Sequence, residues 1–528
     1  MISASYWAVV RPPVLVAHPY YRDVKRRALV CRAEAIDTSH ESGRKKVVVV
    51  GTGWAGLAAA HHLSKQEDVS VTMLDAGCPD EVGTSGFWYP YRNIFSLVDE
   101  LGIRPFTNWT RSAKYSPEGL EVELPIYGDC PRLPAPFGAL AYTQFRRLPV
   151  VDQLTSLPLM AAVVDFDNTD VAWRKYDPIT ARELFKQYGC SERLYQEAFN
   201  PILQVGLFAP AEQCSAAAAL GMLYYFLLAH QKDFDVKWCR GTVNEKIFEP
   251  WVESMKLKNC QFHKNKTVID FALDEETGGV SEVICGRESY PADAVILALG
   301  VSHLQEIVKK SSVLKTKQEF LNVMNLAAID VVSVRMRLDR RIYIPKASNA
   351  CFGFDESSGW TFFDLNAIYD EYKDEPVTVV AADFYYANQL LPLTDEQIVS
   401  KAKSYLSKCV KEFEDASVMQ QEVFKYPKSV THFFPGSYKY MMRGSTSFPN
   451  FFMAGDWIIN RHGSWSQEKA YVSGLEAANR VVDYFGEGEF ARIIPVEEDE
   501  PHIQALRNLN RSINEIRAQI PFSDFFLQ

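Results

Sequence analysis

The chain of 528 residues lacks the cysteine patterns of two common classes of protein. Its ten cysteines form no Cys-x-x-Cys pair, and no group of histidines and cysteines has the spacing of a zinc site. This absence favours reduced, buried thiols over a disulfide framework or a structural metal centre. A net charge of -10 argues against a nucleic-acid partner, because such a partner requires a basic surface.

Long apolar runs are also missing. No segment reaches the roughly 18 consecutive apolar residues that a membrane-spanning helix needs. The longest candidate, residues 216–229, is predicted to be a buried helix, with contact to one membrane face as the alternative. Because 47% of the residues are hydrophobic, we expect two or more domains with large cores.

Acidic residues are scarce at the start of the chain. Before Ala33 the only acid is Asp23, whereas six arginines and lysines occur there. Segments rich in arginine and poor in acids are typical of organellar transit peptides. We therefore predict that residues 1–32 are a transit peptide that is removed, and that the protein is located in the chloroplast. A mitochondrial location, or a cytoplasmic one with a basic tail, is the alternative.

The chain does contain a dinucleotide-binding motif. An apolar strand at Lys45–Val50 leads into Gly-x-Gly-x-x-Gly, a helical segment follows, and the next strand ends at Asp75. That order is the order of a βαβ dinucleotide fold. Gly51 permits the tight turn, Gly53 lets a pyrophosphate approach the helix N-terminus, and Gly56 brings helix and strand close together. The nucleotide-binding residues predicted in this segment are Gly51, Gly53, Trp54, Ala55, Gly56, Asp75 and Ala76.

Patterns further along the chain predict both strands and helices. The predicted strands are 260–263, 267–273, 294–300, 331–337, 377–381 and 450–456, and the predicted helices are 179–188, 395–414 and 467–484. Apolar residues at intervals of three and four predict a helix in the tail whose apolar face packs on the body, with dimerisation or membrane contact as alternatives. They are Ile503, Leu506, Leu509, Ile513, Ile516 and Ile520.

Three separated segments can together build one FAD site: residues 51–75, the segment around Val268, and residues 450–474. In this arrangement the chain resembles the flavin amine oxidase and carotenoid desaturase superfamily. The resemblance extends from about Lys45 to Tyr484 and favours the plant-type phytoene and zeta-carotene desaturases. Further segments that carry it are Tyr91, Asn93–Ile94, Leu97, 100–103, 133–136 and 182–189.

The resemblance implies an α/β fold with FAD as the cofactor. A Rossmann-like FAD-binding domain is expected from residues 45–135, 236–305 and 426–486. An α+β substrate domain of mixed sheet and helices is expected from residues 136–235 and 306–425, followed by an amphipathic tail at 487–528.

The same resemblance assigns further cofactor-binding positions. Asp456 of Gly455–Asp456 is expected to contact the ribityl–pyrophosphate region, and the backbone at Val268 to contact adenine. The last helix begins near Ser466 and is expected to direct its N-terminus at the flavin ring. Amine oxidases carry a cage tyrosine where Ser466 stands, so an amine substrate is disfavoured. Gly83 completes the predicted cofactor-binding set.

Two departures from the family pattern affect the expected flavin site. After Asp75 the family has two glycines and a cation, whereas this chain has only Gly77 and then, after a gap, Gly83. Lys469 also occupies a position that is usually glycine, close to the ring. No catalytic residue is assigned. His462 and Glu468 are candidates for proton transfer, with a solvated histidine and a helix-capping glutamate as the alternatives.

These features predict an FAD-dependent oxidoreductase that acts on CH–CH groups. We expect a desaturase, or a redox-linked isomerase, of a carotenoid-like isoprenoid, with hydride passing from an allylic carbon to flavin N5. The chain has no second Gly-x-Gly-x-x-Gly, so a quinone or oxygen is the expected electron acceptor. Peripheral membrane contact is also expected. The alternatives are an amine-oxidase-like flavin oxidase that uses oxygen on another small molecule, and a non-catalytic flavin- or pigment-binding protein.

Overall fold

A computed structural model describes residues 43–77, 83–225, 230–258, 260–355, 359–463 and 466–519. The predicted transit peptide, residues 1–32, lies outside them. The strands in these ranges are β1 (Lys45–Val50), β2 (Val69–Leu74), β3 (Gly86–Trp88), β4 (Ser112–Ser116), β5 (Gly119–Leu124), β6 (Gln144–Phe145), β7 (Val236–Trp238), β8 (Cys260–His263), β9 (Asp270–Leu273), β10 (Val280–Cys285), β11 (Glu288–Pro291), β12 (Ala294–Ala298), β13 (Ala327–Leu338), β14 (Ser348–Cys351), β15 (Trp360–Asp364), β16 (Val379–Tyr385), β17 (Val418–His432) and β18 (Phe451–Ala454).

The α-helices alternate with these strands and also form a long helical stretch between β6 and β7. They are α1 (Trp54–Leu63), α2 (Arg92–Glu100), α3 (Phe137–Tyr142), α4 (Val150–Leu154), α5 (Met160–Asp165), α6 (Asp170–Tyr176), α7 (Ala181–Gln187), α8 (Glu192–Leu194), α9 (Asn200–Gly206), α10 (Ala216–Leu223), α11 (Glu249–Lys256), α12 (Val301–Lys310), α13 (Gln318–Val323), α14 (Leu365–Ile368), α15 (Asp395–Cys409), α16 (Gln467–Phe485) and α17 (Pro501–Gln519).

A five-stranded parallel sheet contains the dinucleotide motif. Its strand order is β18-β12-β1-β2-β8, and every neighbouring pair is parallel. Four consecutive valines of β1 are buried because helices cover both faces of such a sheet. Strand β18, from the predicted 450–456 segment, lies two places from β1. The discontinuous Rossmann-like sheet is therefore confirmed.

Helices α1 and α16 pack together beside this sheet, and two glycines allow their close approach. A Cβ atom at Gly56 would lie 1.9 Å from the Gly51 carbonyl oxygen, and one at Gly474 would lie 2.1 Å from the Ala55 carbonyl oxygen. Neither contact leaves room for a side chain. The role predicted for Gly56 follows directly from this geometry.

A second, mixed sheet has eight strands in the order β17-β13-β16-β15-β14-β4-β5-β6. Helix α15 covers one face of it around the buried rings of Trp360, Phe362 and Phe384. Strands β4 and β5 pair in this mixed sheet, although residues 112–124 fall in the first predicted FAD-binding segment. That stretch therefore differs from the prediction, because its pairing partner β14 lies more than 200 residues later.

Most predicted elements are present with shorter or shifted bounds. The strand predicted at 267–273 begins only at Asp270, so Val268 lies in the extended segment before it. The helix predicted at 395–414 ends at Cys409, and a 3-10 turn follows. The segment beginning at Ala216 is a buried helix to Leu223, as expected; residues 226–229 lie outside the described ranges.

The tail is helical, but its packing differs from the prediction. Ile503 is buried, whereas Leu506, Leu509 and Ile513 are 40 to 57% exposed. The buried contact is made by Arg507, which donates hydrogen bonds to the Val164 and Phe166 carbonyl oxygens. Three of the four described side chains of the predicted apolar face therefore remain largely exposed. Ile516 and Ile520 lie outside the described side chains.

Membrane-spanning helices, metal sites and disulfides are all missing from the described part of the chain. None of its helices is long and apolar enough to cross a membrane. It contains no cluster of three or more histidine, cysteine or acidic side chains that could hold a metal ion. Its cysteines are free thiols, and all except Cys130 are buried.

Candidate functional site

A cavity of about 230 Å³ lies at the carboxyl end of the parallel sheet. The predicted residues Gly51, Gly53, Asp75, Ala76 and Val268 all line it. A parallel sheet brings the ends of β1, β2 and β12 to one edge, which is where such folds bind nucleotides. Residues that the sequence reasoning missed also line it, including the cations Lys266 and Lys310 and the acid Glu306.

The glycines of the motif shape this cavity in two ways. Gly51 has a φ of +106°, and a Cβ atom there would lie 2.3 Å from the Ala298 carbonyl oxygen. Gly53 is exposed at the N-cap of α1, and a Cβ atom there would meet no atom of the described residues within 4 Å. The first N–H groups of α1 therefore face open space. The structure fits an anionic group such as a pyrophosphate at this helix end.

The other members of the motif are structural. The Trp54 ring packs against Phe87 and Phe248, with ring centroids 5.9 and 5.0 Å away. The carbonyl of Ala55 faces Gly474 across the helix crossing. These side chains do not line the cavity; only the backbone of Trp54 and Ala55 can serve a cofactor.

Gly455 and Asp456 follow β18, beside the same sheet edge. The Gly455 N–H donates to Ser473 Oγ at 2.8 Å, which ties this turn to α16. Burial raises the pKa of the Asp456 carboxyl, whereas the nearby Lys469 ammonium acts in the opposite direction. Burial likewise lowers the pKa of Lys469 to about 8. The lysine at the usual glycine position thus supplies a buried cation next to Asp456.

Lys469 also lines a second cavity of about 300 Å³, together with Asn460 and Arg461. The Asn460 Nδ2 atom is buried and makes no hydrogen bond of ordinary geometry among the described residues, although the Asn460 side chain interacts with the Glu476 carboxyl and acts to lower its pKa. A buried amide N–H that lacks an acceptor destabilises the folded protein unless a bound ligand supplies the acceptor. An unsatisfied donor and a cation suit a group that carries carbonyl oxygens, as a flavin ring does.

Ser466 is the N-cap of α16, and its side chain accepts a hydrogen bond from the Lys469 N–H. It also forms a hydrogen bond with Tyr91. This placement sets the N-terminus of α16 as expected, two residues before Glu468.

Glu468 and His462 make structural contacts. Glu468 is fully buried and accepts hydrogen bonds from the N–H groups of Asn93 and Ile94 and from Asn93 Nδ2. It therefore caps α2 from another helix. Burial lowers the pKa of His462 to about 4, and its Nε2 contacts the Ile494 carbonyl oxygen at 3.3 Å. The alternative interpretation of Glu468 as a capping residue fits these contacts, whereas His462 is buried rather than solvated.

Gly83 lies against the mixed sheet rather than in the nucleotide cavity. With φ at +70°, a Cβ atom there would lie 2.3 Å from Asp383 Oδ2. The same oxygen accepts a hydrogen bond from the Thr84 N–H at 3.1 Å. Burial raises the pKa of Asp383 to about 6. Asp383 was missed in the sequence, although an acid inside the apolar strand β16 was a visible signal.

A third cavity, of about 120 Å³, lies between the mixed sheet and the helices that follow it. We name it the apolar cavity. Strand β5, helices α3 and α5 and helices α9 and α10 all contribute to it. Its lining is mostly aliphatic and aromatic and includes Leu124, Phe145, Met160, Val163, Phe199 and Leu223. Such a cavity is suited to an apolar ligand.

The sequence was compared with known protein families and curated proteins. The model of the family described as flavin containing amine oxidoreductase matches residues 54–482. A zeta-carotene desaturase of Synechocystis sp. is 23% identical over 484 residues, which covers 83% of this chain and 97% of that protein. A chloroplastic/chromoplastic 15-cis-phytoene desaturase of an Oncidium hybrid cultivar is 23% identical over 465 residues, which covers 83% of this chain and 78% of that protein.

Solved structures share the architecture. Cyclohexylamine oxidase from Brevibacterium oxydans matches with a TM-score of 0.64 at 14% identity, covering 84% of this chain and all of that one. Putrescine oxidase bound to putrescine matches with a TM-score of 0.62 at 15% identity, covering 83% and 99%. At these identities the likeness establishes the mixed α/β fold.

Proposed function

Because the chain belongs to the flavin-containing amine oxidoreductase family, an FAD-dependent class of oxidoreductases, we propose that it desaturates an apolar isoprenoid substrate. A redox-linked isomerisation of the same substrate class is the related reaction. The observation that carries this proposal is the apolar cavity, whose lining suits a hydrocarbon chain. The curated relatives named as carotenoid desaturases support it, and so does Ser466 in place of a cage tyrosine.

The residues that would hold FAD lie at the sheet edge. The free N–H groups of α1 would bind the pyrophosphate, Asp75 the ribose, and the backbone at Val268 the adenine. Lys469 and Asn460 would face the ring. When bound, FAD supplies an acceptor for a hydride. The protein's contribution is to orient an apolar chain and to exclude water.

An amine substrate is less consistent with the cavity. Its lining contains one charged side chain among the described residues, Lys114, and this side chain is a cation. A protonated amine would be repelled there. We therefore rank the amine-oxidase alternative second, and we propose a quinone or oxygen as the electron acceptor and the plastid as the location.

The proposed function is tested on the purified full chain by visible spectroscopy. Bands near about 370 and 450 nm are expected for bound flavin. Anaerobic addition of phytoene or zeta-carotene in detergent should bleach the longer-wavelength band, because hydride transfer reduces the flavin. A chain that cannot be loaded with FAD contradicts the proposal. A loaded chain that neither polyene bleaches, but that a primary amine does, favours the oxidase.

We also propose that one surface contacts a membrane. Apolar side chains are exposed on α3, on α4 and in the turn after α4; they are Phe137, Leu140, Val150, Val151, Leu154 and Leu157. Leu140 and Leu157 also line the apolar cavity, so the cavity opens at this surface. An isoprenoid dissolved in a bilayer could enter the protein there without crossing water.

Substitution of two of these residues should weaken vesicle binding. The double variant Val151→Glu, Leu154→Glu removes two exposed apolar side chains and adds two charges, so co-sedimentation with phosphatidylcholine vesicles should fall at least about tenfold. Val171→Glu is the matched control, because Val171 is 77% exposed on α6, which contributes no residue to this surface. An equal loss in the control, or no vesicle binding by the native chain, would refute the membrane contact.

A further inference from the structure

The apolar cavity contains one feature that a pure hydrocarbon ligand does not explain. Lys114 of β4 lines it, and only 5% of this residue is exposed. Its neighbours Ala113 and Tyr115 point to the opposite face of the sheet, into the core under α15. Strand alternation therefore directs Lys114 toward the cavity and away from that core.

Among the residues that the structure describes, the Lys114 Nζ atom has no counter-ion. Within the described residues it makes no hydrogen bond, ion pair or ring contact. Burial lowers its pKa to about 7, and no nearby carboxylate acts in the opposite direction. Lys346, in contrast, pairs with Glu123 at 3.5 Å. An isolated buried ammonium group destabilises the folded protein, so such a group is normally paired with an anionic group.

The other polar side chains of the cavity do not serve as this partner. The Tyr127 and Thr143 hydroxyls bond to each other at 2.7 Å, and Thr143 also donates to the Ala139 carbonyl oxygen. Gln153 donates to the Leu148 carbonyl oxygen, and Ser156 donates to the Gln153 carbonyl oxygen. These groups are neutral. The partner that would complete Lys114 is therefore an anion brought by the ligand.

We propose that the apolar cavity binds a long apolar chain that ends in a carboxylate, and that this carboxylate pairs with the Lys114 ammonium. A carboxylate and an ammonium form a charge-assisted hydrogen bond, which is strong in surroundings of low polarity. The inference rests on the proposed function in that the same cavity would receive the substrate. It makes a terminal carboxylate the feature that this cavity prefers among apolar chains, so a pure hydrocarbon should bind there more weakly.

Displacement of Nile red from the full chain tests the pairing without using the flavin. Palmitic acid, methyl palmitate and hexadecane share one chain length and differ only at the end. Palmitic acid should bind at least about tenfold more tightly than its methyl ester. In Lys114→Met, a side chain of similar length without charge, the acid and the ester should bind within about twofold of each other. Lys346→Met, which removes an ion-paired lysine, should keep the native preference.

Three results would overturn the inference. They are equal affinities of acid and ester in the native chain, an unchanged acid preference in Lys114→Met, and no displacement by any of the three compounds. Lys114→Gln serves as the second variant if Lys114→Met does not fold. An acid preference in a chain that binds no FAD would refute the proposed function alone. Polyene bleaching without an acid preference would refute the inference alone.

Discussion

Gly53→Val is expected to leave the protein folded and to remove its flavin. Gly53 has φ and ψ of -80° and -174°, which any residue adopts, and a Cβ atom there meets no atom within 4 Å in the part of the chain that the structure describes. The valine side chain would instead fill the space in front of the free N–H groups of α1. Because these groups are the proposed pyrophosphate contacts, FAD affinity should fall by about 100-fold or more.

Two measurements separate this loss from unfolding. The absorbance ratio of flavin to protein should drop to background, while the free energy of unfolding in urea should change by only about 1 kcal/mol, the cost of valine at a helix N-cap. Gly43→Val is the matched control, since a Cβ atom at Gly43 also meets none of the described residues within 4 Å and Gly43 does not line the cavity. Retention of flavin by Gly53→Val would show that the cofactor binds elsewhere.

Gly56→Ala, within the same motif, is expected to lower the stability of the fold, whereas Gly53→Val is expected to lower FAD affinity. Its Cβ atom would lie 1.9 Å from a backbone oxygen, so helix and strand would have to separate. We expect a loss of unfolding free energy of about 3 kcal/mol, at the upper end of the cost of overpacking. The two glycines are three residues apart, yet one shapes the ligand cavity and the other the core.

Glu468→Ala is expected to destabilise the fold severely. The change leaves the backbone N–H groups of Asn93 and Ile94 without the Glu468 acceptor, while Asn93 Nδ2 keeps only the Ile494 carbonyl oxygen. Such a loss costs about 3 to 5 kcal/mol. Glu468→Gln retains one acceptor oxygen and should cost about half as much. Urea unfolding measures both. Glu253→Gln, on the exposed face of α11, is the control and should change stability by less than about 0.5 kcal/mol.

The same residue predicts a dependence of stability on pH. Burial raises the pKa of Glu468 from 4.5 to about 7, against the Asn93 and Ile94 donors that favour the charged form. The folded state therefore holds a proton that the unfolded state releases between these values. The contribution of Glu468 to the free energy of unfolding is complete below about pH 4.5 and is lost as the pH rises through about 7. The total loss is about 3 kcal/mol.

The measurement is a difference between two proteins. The free energy of unfolding in urea is measured for the native chain and for Glu468→Gln at about pH 5 and about pH 8. Subtracting one protein from the other at each pH cancels the titration of every other group. The advantage of the native chain over the variant should shrink toward the higher pH. An advantage that grows with pH would show that the three donors dominate and that the carboxyl stays charged.

The sequence alone predicted the dinucleotide-binding motif because the residues that determine it are close together in the chain. Four valines, three glycines at fixed spacing and the acid at Asp75 lie within 31 residues, and each acts through its own strand, turn or helix. Strand β18 and helix α16 were also predicted, because an apolar run and a helical period are visible without knowledge of their neighbours. The family resemblance joined these pieces into one site.

Contacts between distant segments were decided only by the tertiary structure. Glu468 caps α2 across 375 residues, and β4 pairs with β14 although no local pattern names that partner. Gly83 faces Asp383 rather than the cofactor cavity, and the tail helix packs through Arg507 rather than through its leucines. In the sequence, nothing distinguishes Lys114 from an ordinary lysine in a strand. Only the sheet and the helices around it bury this lysine and leave it without a counter-ion among the described residues, because burial and pairing depend on the neighbours that the fold assembles and not on the residue itself.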